Sequence, residues 1–310
     1  MGSYTKEDLR RLQNLPLEQK IMITQTRIIE FYLRMAGNVF VSYSGGKDST
    51  VLLDLARRCY PDIVAAYVNT GLDYPEVRKM AMGAENVTVL KPEMRFPEVI
   101  KKYGWCFPSK EMAKIIYYAR KGSTWAINSL NGMNKEGQPD EWKQNNYAKW
   151  AFLVDSPFII SHRCCEEMKE KPFSKYYRRT GKMPIIGTLA EESTRRRQAW
   201  IGKGCNIYNG YISICKPLSF WTEQDILEYI KITGLPIASV YGEIKVNNKG
   251  KLETTGCKRT GCVFCPTGCH LEKPENRFQR LSKTHPKLHK YCMDTLKLGE
   301  FLDYIGVVKE

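Results

Sequence analysis

Apolar residues along this chain follow two periodicities, one typical of buried strands and one typical of amphipathic helices. The predicted strands are short apolar runs bounded by turn residues, at 38–43, 62–69, 86–91 and 183–188. The predicted helices have apolar residues three and four positions apart, at 49–59, 75–83, 94–102 and 222–233. Because continuous apolar strands alternate with helices, the pattern predicts a doubly wound parallel α/β sheet of the Rossmann type.

The same pattern predicts three regions. Residues 1–36 form an N-terminal helical segment, and residues 37–235 form the α/β domain. Residues 120–160 are polar and rich in Asn, Gly and aromatic side chains, which predicts an insertion or lid. The periodic pattern of apolar residues weakens after residue 236, where Cys, Gly and Lys become frequent. Residues 236–310 are therefore predicted to form a small Cys-rich module.

Composition narrows the class of protein. The formal net charge is +15, from 48 Lys and Arg against 33 Asp and Glu, which is typical of anionic partners such as nucleotides, DNA or RNA, with a solvated basic surface as the alternative interpretation. The absence of an apolar run of 18 residues and of a signal pattern predicts a cytoplasmic protein without a membrane partner. The 11 cysteines then indicate metal-binding or catalytic thiols, since a reducing compartment disfavours disulfides.

The segment VSYSGGKDST, at 41–50, joins the first predicted strand to its helix. Its two glycines let backbone N–H groups turn toward a ligand, and the new helix offers its positive end to an anion. Lys47 adds a mobile positive charge. These features predict a phosphate-binding loop, although the spacing of the Walker pattern is lacking.

SGGKDS resembles the signature loop of the PP-loop ATP pyrophosphatases, which cleave ATP between the α- and β-phosphates. The resemblance implies ATP and Mg²⁺ as ligands and Lys47, Asp48 and Ser44 as catalytic residues. Lys47 and the loop amides would hold the pyrophosphate, and Asp48 would engage Mg²⁺. The nucleotide contacts implied within the loop are Ser42, Ser44, Gly45, Gly46, Lys47, Asp48, Ser49 and Thr50.

Three further segments resemble the phosphoadenosine phosphosulfate (PAPS) reductase-like branch of this superfamily, which also holds the iron–sulfur protein of DNA phosphorothioation. They are VNTGLDYPE at 68–76, IIGTLAEESTRRRQAW at 185–200 and KPLSFWTEQDILEYIKITGLPIASVYG at 216–242. The second departs from the branch because Leu189 stands where an arginine is usual, and the third is interpreted as core. The resemblance implies further nucleotide contacts at Asn69, Thr70, Gly71, Gly187, Thr188, Glu192 and Arg196.

The cysteines include an adjacent pair, Cys164 and Cys165, and a distant Cys262-x2-Cys265. This set, with Lys169 shortly after the pair, resembles the [4Fe–4S] ligands of adenylyl-sulfate reductases. The resemblance therefore implies a [4Fe–4S] cluster on these four thiols, a ligand type that suits iron.

Other interpretations of the cysteines stay open. Cys205 is a substitute for one member of the adjacent pair, because adjacent thiolates reach one cluster only with strained geometry. A local iron–sulfur or Zn²⁺ site is a second option, with the ligands Cys257, Cys262, Cys265 and Cys269 and the neighbouring His270. Unliganded core thiols are a third. The cysteines interpreted as packing residues are Cys59, Cys106, Cys215 and Cys292.

The intact loop departs from true sulfonucleotide reductases, which carry a degenerate loop, and the absence of a cysteine after Cys292 predicts that the reductase nucleophile is missing. The preferred hypothesis is an iron–sulfur enzyme that forms AMP and pyrophosphate and adenylates a substrate for sulfur transfer. Nucleic acid is the candidate acceptor, and a sulfur-donor protein is a candidate partner. The alternatives are a sulfite-releasing phosphoadenylyl- or adenylyl-sulfate reductase and a non-catalytic, nucleotide-sensing regulator that binds DNA.

Overall fold

A computed structural model describes residues 4–208 and 212–310, so the first three residues of the predicted N-terminal segment lie outside the described part of the chain. The strands are β1 (Val39–Ser42), β2 (Ala65–Val68), β3 (Val87–Leu90), β4 (Met183–Ile186), β5 (Asn206–Tyr208), β6 (Ser213–Cys215), β7 (Ile244–Val246) and β8 (Leu252–Thr254).

The α-helices are α1 (Lys6–Gln13), α2 (Leu17–Arg34), α3 (Lys47–Cys59), α4 (Pro75–Gly83), α5 (Phe96–Tyr103), α6 (Lys110–Ala119), α7 (Thr124–Leu130), α8 (Glu141–Asn146), α9 (Arg163–Cys165), α10 (Lys171–Thr180), α11 (Thr194–Lys203), α12 (Glu223–Thr233), α13 (Arg277–Thr284), α14 (Pro286–Lys290) and α15 (Leu298–Tyr304). Short 3₁₀ or π turns occupy Ala148–Val154, Glu166–Glu170, Ala190–Glu192, Ser239–Tyr241, Cys269–Leu271 and Tyr291–Thr295. Within the described ranges, no helix combines the length and the apolar character needed to cross a membrane.

The main sheet has six strands in the order β3-β2-β1-β4-β6-β5. Every neighbouring pair is parallel except β5 with β6, which confirms the predicted α/β class with one antiparallel edge. β1 lies between β2 and β4, with Ser42 opposite both Ala66 and Ile186. The chain therefore leaves β1 toward one side of the sheet and returns at β4 on the other. Such a switch point opens a crevice at the carboxyl ends of the two strands.

The elements differ from the predicted ones mainly at their ends. α3 begins at Lys47 rather than at residue 49, because Gly46 is extended and acts as the N-cap. The predicted strand at 62–69 narrows to Ala65–Val68, because only these residues pair with β3. The sequence pattern did not predict the β5–β6 pair or the β7–β8 hairpin, whose strands have only three residues each.

The described residues form two compact units. The first comprises the described parts of 1–69, 73–91 and 173–260 and contains both sheets. The second comprises 70–72, 92–172 and 261–310 and contains α5 to α9 and α13 to α15. The predicted insertion thus shares a unit with the chain after residue 260, and the predicted domain borders stay predictions.

A buried ion pair joins α2 to α12 within the first unit. Lys20 is 2% exposed, and its Nζ lies 2.7 Å from both carboxylate oxygens of Asp225 and 2.7 Å from the Gln13 carbonyl. Asp225 also accepts hydrogen bonds from the backbone N–H and the hydroxyl of Thr222, at 2.7 and 2.8 Å, which caps α12. Each charge is the ionic partner of the other, so removing one of them leaves the other buried without a counter-charge.

We expect Lys20→Met to lower the free energy of unfolding by about 3–5 kcal/mol, because it leaves the Asp225 carboxylate buried without its cation. Urea denaturation followed by circular dichroism measures this loss. The control is Lys245→Met, which removes an exposed ion pair with Glu243 and should leave the unfolding curve unchanged. Equal unfolding curves for the two variants would contradict the structural role of Lys20.

Candidate nucleotide site and thiol cavity

The loop after β1 needs a glycine at residue 45. Gly45 has φ +72°, a conformation that other residues adopt only with strain. A Cβ at this position would lie 2.5 Å from the Val77 carbonyl oxygen, so α4 also excludes a side chain. The next residue, Gly46, is the N-cap of α3 and supplies no capping side chain. The amides at the start of this 13-residue helix are therefore suited to an anion.

The hydroxyl groups of the loop hold its shape. The Ser44 backbone N–H donates to Ser49 Oγ at 3.2 Å, and the two serine hydroxyls lie 3.0 Å apart. Ser49 Oγ and Thr50 Oγ1 donate to the Gly46 carbonyl at 2.9 and 3.0 Å. These hydroxyls are thus already used within the loop, which preorganises it around a ligand.

Lys47 is buried at the start of α3, with only 4% of its surface exposed. Its Nζ lies 3.4 Å from Asp48 Oδ1, 3.3 Å from Glu223 Oε1 and 3.3 Å from the Lys258 carbonyl. Burial is the largest influence and would lower the pKa of Lys47, but Asp48, Glu223 and the Tyr241 hydroxyl together raise it above its usual value. Lys47 therefore carries a positive charge at neutral pH.

Asp48 Oδ1 is a buried oxygen with no hydrogen-bond partner among the described residues, although Lys47 Nζ lies 3.4 Å away. This oxygen forms an ion pair with Lys47 but no hydrogen bond, and buried polar atoms usually have one, so it is suited to contact a bound cation as well. Carboxylate oxygens beside a phosphate site are the ligands that Mg²⁺ uses in phosphate-transferring enzymes. Asp48 therefore fits the predicted role of Mg²⁺ ligand.

The loop after β4 approaches the same helix. A Cβ on Gly187 would lie 3.2 Å from the Asp48 carbonyl oxygen, which explains why a glycine follows β4. Further along this loop, Glu192 forms ion pairs with Arg196 and with Arg259, the latter at 3.6 Å. Arg196 is therefore already neutralised by Glu192, and an anionic ligand would have to compete with that carboxylate.

A cavity of about 350 Å³ lies beyond the carboxyl ends of β4 and β6, and Thr188 lines it. Its polar wall is basic, with Arg195, Arg196 and Lys216 and the hydroxyl of Ser193. Burial lowers the pKa of Lys216, and the nearby cations of Lys203, Arg196 and Arg195 lower it further. Several positive charges therefore lie close together at this wall of the cavity. The cavity is suited to an anionic group.

The predicted nucleotide contacts after β2 fall into both units. The Asn69 backbone N–H donates to the Leu90 carbonyl at 2.9 Å within the first unit. Thr70 and Gly71 belong to the second unit, where Thr70 Oγ1 accepts a hydrogen bond from the Leu72 N–H at 3.1 Å. The Leu72 carbonyl accepts from the Val263 N–H at 2.8 Å, beside Cys262. Nucleotide binding by Thr70 and Gly71 stays a prediction.

A second cavity, within the second unit, gathers thiols. Its walls include all four cysteines predicted as cluster ligands, together with a fifth thiol, namely Cys164, Cys165, Cys262, Cys265 and Cys106. Lys169 lines it as well, and most of the remaining wall is apolar. Cys106 was interpreted as a packing residue; it is buried, as expected, but it also faces this cavity.

The cavity has the donor set of an iron–sulfur site. Burial raises the pKa of Cys106 to about 12, and burial together with the neighbouring sulfurs raises the pKa of Cys164 as well. Within the described residues, no three His, Cys, Asp or Glu side chains are arranged to hold one metal ion. A cluster places each thiolate on its own iron, so its ligands need not converge on one ion as they do around zinc.

The remaining candidate ligands lie elsewhere. Cys257 belongs to the first unit, where its backbone N–H donates to the Val240 carbonyl at 2.9 Å. Cys205 also belongs to the first unit, with its Sγ 3.4 Å from Ser219 Oγ. In the second unit, Cys269 is buried and His270 packs against aromatic rings. The described lining of the thiol cavity includes none of these side chains.

Tyr241 contacts the loop after β1, which the sequence pattern did not indicate. Its hydroxyl accepts a hydrogen bond from the Lys47 N–H at 3.1 Å and lies 2.6 Å from Thr260 Oγ1. The segment 216–242 was interpreted as core, which holds for the fully buried Trp221. Tyr241 is buried as well, but its hydroxyl end touches the loop. No signal in the local sequence distinguishes it from the core residues of the same segment.

Residues 38–268 match the phosphoadenosine phosphosulfate reductase domain, and the chain belongs to this family. A protein of Methanocaldococcus jannaschii without an assigned activity is 24% identical over 303 residues, which cover 95% of this chain and 56% of that protein. The chain thus spans little more than half the length of this relative.

Two relatives have named activities. An adenosine 5'-phosphosulfate reductase of Staphylococcus epidermidis is 22% identical over 268 residues, which cover 83% of each chain. Subunit 2 of a sulfate adenylyltransferase of Chromohalobacter salexigens is 26% identical over 252 residues, covering 78% of this chain and 70% of that one. The family therefore includes relatives of different enzymatic activities.

We expect Gly45→Ala to destabilise the protein far more than Gly234→Ala. Both glycines have positive φ, +72° and +64°, so both variants incur the backbone strain of about 1–2 kcal/mol. Only Gly45 would place its Cβ against a backbone oxygen, whereas nothing lies within 4 Å of a Cβ on Gly234. Thermal unfolding measures the difference, and equal melting temperatures would contradict the close approach of α4.

Proposed function

We propose that the protein is an ATP-dependent iron–sulfur enzyme that forms AMP and pyrophosphate while it adenylates an acceptor for sulfur transfer. One observation carries this proposal: the loop after β1 pairs the buried ammonium of Lys47 with an Asp48 oxygen that has no hydrogen-bond partner among the described residues. A cation site beside a helix N-terminus suits a polyphosphate with its Mg²⁺.

In the proposed reaction, an oxygen of the acceptor attacks the α-phosphorus of ATP. The bond from this phosphorus to the bridging oxygen breaks, and pyrophosphate leaves with the electron pair while the acceptor loses its proton. The Lys47 ammonium and the amides that follow Lys47 at the start of α3 would neutralise the charge on the leaving pyrophosphate. Asp48 would hold Mg²⁺, which supplies further charge neutralisation when bound. A sulfur nucleophile then attacks the carbon that bears the adenylated oxygen, and AMP leaves with that oxygen.

ATP is the proposed nucleotide because the loop keeps its lysine and aspartate in place. The sulfate adenylyltransferase relative supports this choice at the level of the family. The adenosine 5'-phosphosulfate reductase relative supports the second candidate, a reductase that releases sulfite. We prefer ATP because the buried Asp48 oxygen can hold the Mg²⁺ that accompanies a polyphosphate, whereas a sulfonucleotide substrate for reduction needs no such ion.

The thiol cavity supports the iron–sulfur part of the proposal. Thiols from three separate segments, around Cys106, Cys164 and Cys262, face one largely apolar space. A [4Fe–4S] cluster bound there would supply iron at which sulfur can bind or through which electrons can pass. Lys169 on the cavity wall adds a cation to the surroundings of the cluster.

Nucleic acid is the proposed class of acceptor, and a sulfur-donor protein is a proposed partner. The net charge of +15 supports an anionic macromolecule. The exposed arginines of α11, Arg195 and Arg197, stand near the basic cavity on the same unit and could contact phosphates. Binding should therefore weaken steeply with salt.

The reaction is tested with ATP labelled at the α-phosphate, total RNA or DNA, and sulfide under anaerobic conditions. We expect labelled AMP and equimolar pyrophosphate from the reconstituted protein. Lys47→Met should slow AMP formation at least about 100-fold, because it removes the main cation at the leaving group. The matched control is Lys231→Met, an exposed lysine on α12, which should keep the wild-type rate.

Three other outcomes would contradict the proposal. ADP and orthophosphate as products would exclude cleavage between the α- and β-phosphates. Sulfite release from adenylyl sulfate with a thiol reductant, without AMP formation from ATP, would establish the reductase. Salt-dependent DNA binding that ATP modulates, without any ATP cleavage, would establish a nucleotide-sensing regulator.

A further inference from the structure

One side of helix α6 mixes cations with aromatic rings. The opposite side of this helix is its buried side, with Met112, Ala113, Ile115, Ile116 and Ala119. The outer side carries residues that recur three or four positions apart and therefore lie above one another. They are Lys110, Lys114, Tyr117, Tyr118 and, directly after the helix, Lys121. We name this side the lysine–tyrosine face.

Two further rings extend this face beyond α6. Trp125, in the first turn of α7, has its ring centroid 5.8 Å from that of Tyr118, and 37% of its surface is exposed. The His162 ring lies 5.8 Å from Tyr117 and 6.1 Å from Tyr118. Rings from three separate segments of the second unit thus form one connected group.

The cations of this face point toward solvent. Lys114 and Lys121 are both exposed, and the Lys121 Nζ lies 4.4 Å from the centre of the Tyr117 ring. Among the described residues, neither lysine has a carboxylate partner. Glu111, the acidic residue of α6, already accepts a hydrogen bond from the Tyr147 hydroxyl at 2.9 Å. The face therefore offers positive charge that the protein itself does not neutralise.

The lysine–tyrosine face leads to the thiol cavity within the second unit. His162 stands two residues before Cys164, which lines that cavity. At the other end of the helix, Lys110 Nζ lies 2.5 Å from a carboxylate oxygen of Glu170, the neighbour of the cavity residue Lys169. From Lys110 to Lys121 the helix rises about 16 Å, so the face is an elongated strip.

Aromatic rings interleaved with cations match the two parts of a nucleic acid strand. Rings stack on the planar bases, and lysines neutralise the phosphates. An acidic protein surface would use the lysines but would give the exposed Trp125 ring no planar partner. A duplex would also leave this ring unused, because its bases already stack on one another. The composition of the face therefore favours an unpaired strand.

We propose that the lysine–tyrosine face, together with Trp125 and His162, binds a single-stranded segment of nucleic acid and brings it to the thiol cavity. The proposal rests on the proposed function for the class of acceptor, and it adds that the acceptor is unpaired where it binds. Trp125 stacks on a base, while Lys114 and Lys121 contact phosphates. The first helix of the predicted insertion at 120–160 thereby belongs to the acceptor site.

The stacking part is tested by fluorescence anisotropy with fluorescein-labelled single strands of RNA and of DNA, each of about twelve nucleotides. We expect Trp125→Ala to raise the Kd at least about fivefold, because it removes the stacking ring. Trp125→Phe keeps a planar ring and should recover most of the affinity. The control is Trp142→Ala on α8, a tryptophan of the same unit that is 59% exposed, which should keep the wild-type Kd.

The phosphate contacts are tested through the salt dependence of the same Kd. Each phosphate contact on a single strand contributes about 0.7 to the slope of log Kd against log salt concentration. The double variant Lys114→Gln with Lys121→Gln should therefore lower this slope by about 1.4. The matched control is Lys231→Gln with Lys249→Gln, two exposed lysines of the first unit, which should keep the wild-type slope.

Several results would overturn the proposal. They are an unchanged Kd in Trp125→Ala, an equal loss of affinity in Trp142→Ala, and a duplex of the same sequence bound as tightly as the single strand. Displacement of the strand by polyglutamate as readily as by unlabelled RNA would indicate an acidic protein partner instead. Thermal unfolding checks that each variant is folded.

A measurement on the wild-type protein keeps the proposal testable if Trp125→Ala does not fold. A single-stranded RNA that contains 4-thiouridine is crosslinked to the full chain by light, and the attached peptides are identified by mass spectrometry. Crosslinks within residues 110–125 or at His162 support the proposal. Crosslinks confined to the first unit contradict it.

Kinetics separate this proposal from the proposed function. With RNA as acceptor, Trp125→Ala should raise the KM for RNA and leave the KM for ATP and the kcat of AMP formation unchanged. If AMP forms but neither binding nor KM depends on the lysine–tyrosine face, the face is wrong and the proposed function stands. If the face binds single strands and no AMP forms, the proposed function fails and the binding surface remains.

Discussion

Parallel pairing of β1 with both β2 and β4 is the constraint on which the candidate nucleotide site depends. Because the chain departs from β1 in one direction and returns at β4, the loops after these strands open side by side at the carboxyl edge. Each loop has a glycine where backbone comes close: Gly45 against the Val77 carbonyl and Gly187 against the Asp48 carbonyl. The lysine and the aspartate at the start of α3 are thus positioned by the sheet itself.

The second unit depends in a comparable way on the segment from Trp105 to Pro108. Its backbone is bonded to residues before the adjacent cysteines and to residues after Cys265. The rings of Trp105 and Phe107 pack against Phe301 of α15, with centroids 6.1 and 5.7 Å apart. One short extended segment therefore aligns the thiols and anchors a C-terminal helix, so that the cavity and the local core stabilise each other.

Local features were predicted well from the sequence, because glycines, a lysine and a helix start lie within ten residues of one another at 41–50. Long-range features were not. Tyr241 contacts Lys47 across 194 positions, and nothing in its local pattern separates it from a core tyrosine. Cys106 has no cysteine neighbour in the sequence, so spacing could not indicate its place in the cavity. The grouping of 92–172 with 261–310 likewise depends on contacts that periodicity does not encode.

The interleaved make-up of the second unit has a consequence for biosynthesis. About a hundred residues, most of them belonging to the first unit, are translated between the cysteine pair and Cys262. At about 5–20 residues per second, the early thiols emerge roughly 5–20 s before the loop that completes their cavity. During that interval the pair is exposed to oxidants and to stray metal ions. If this cavity holds the proposed cluster, the cluster assembles only after Cys265 has been translated, and conditions that slow elongation lower the yield of iron-loaded protein.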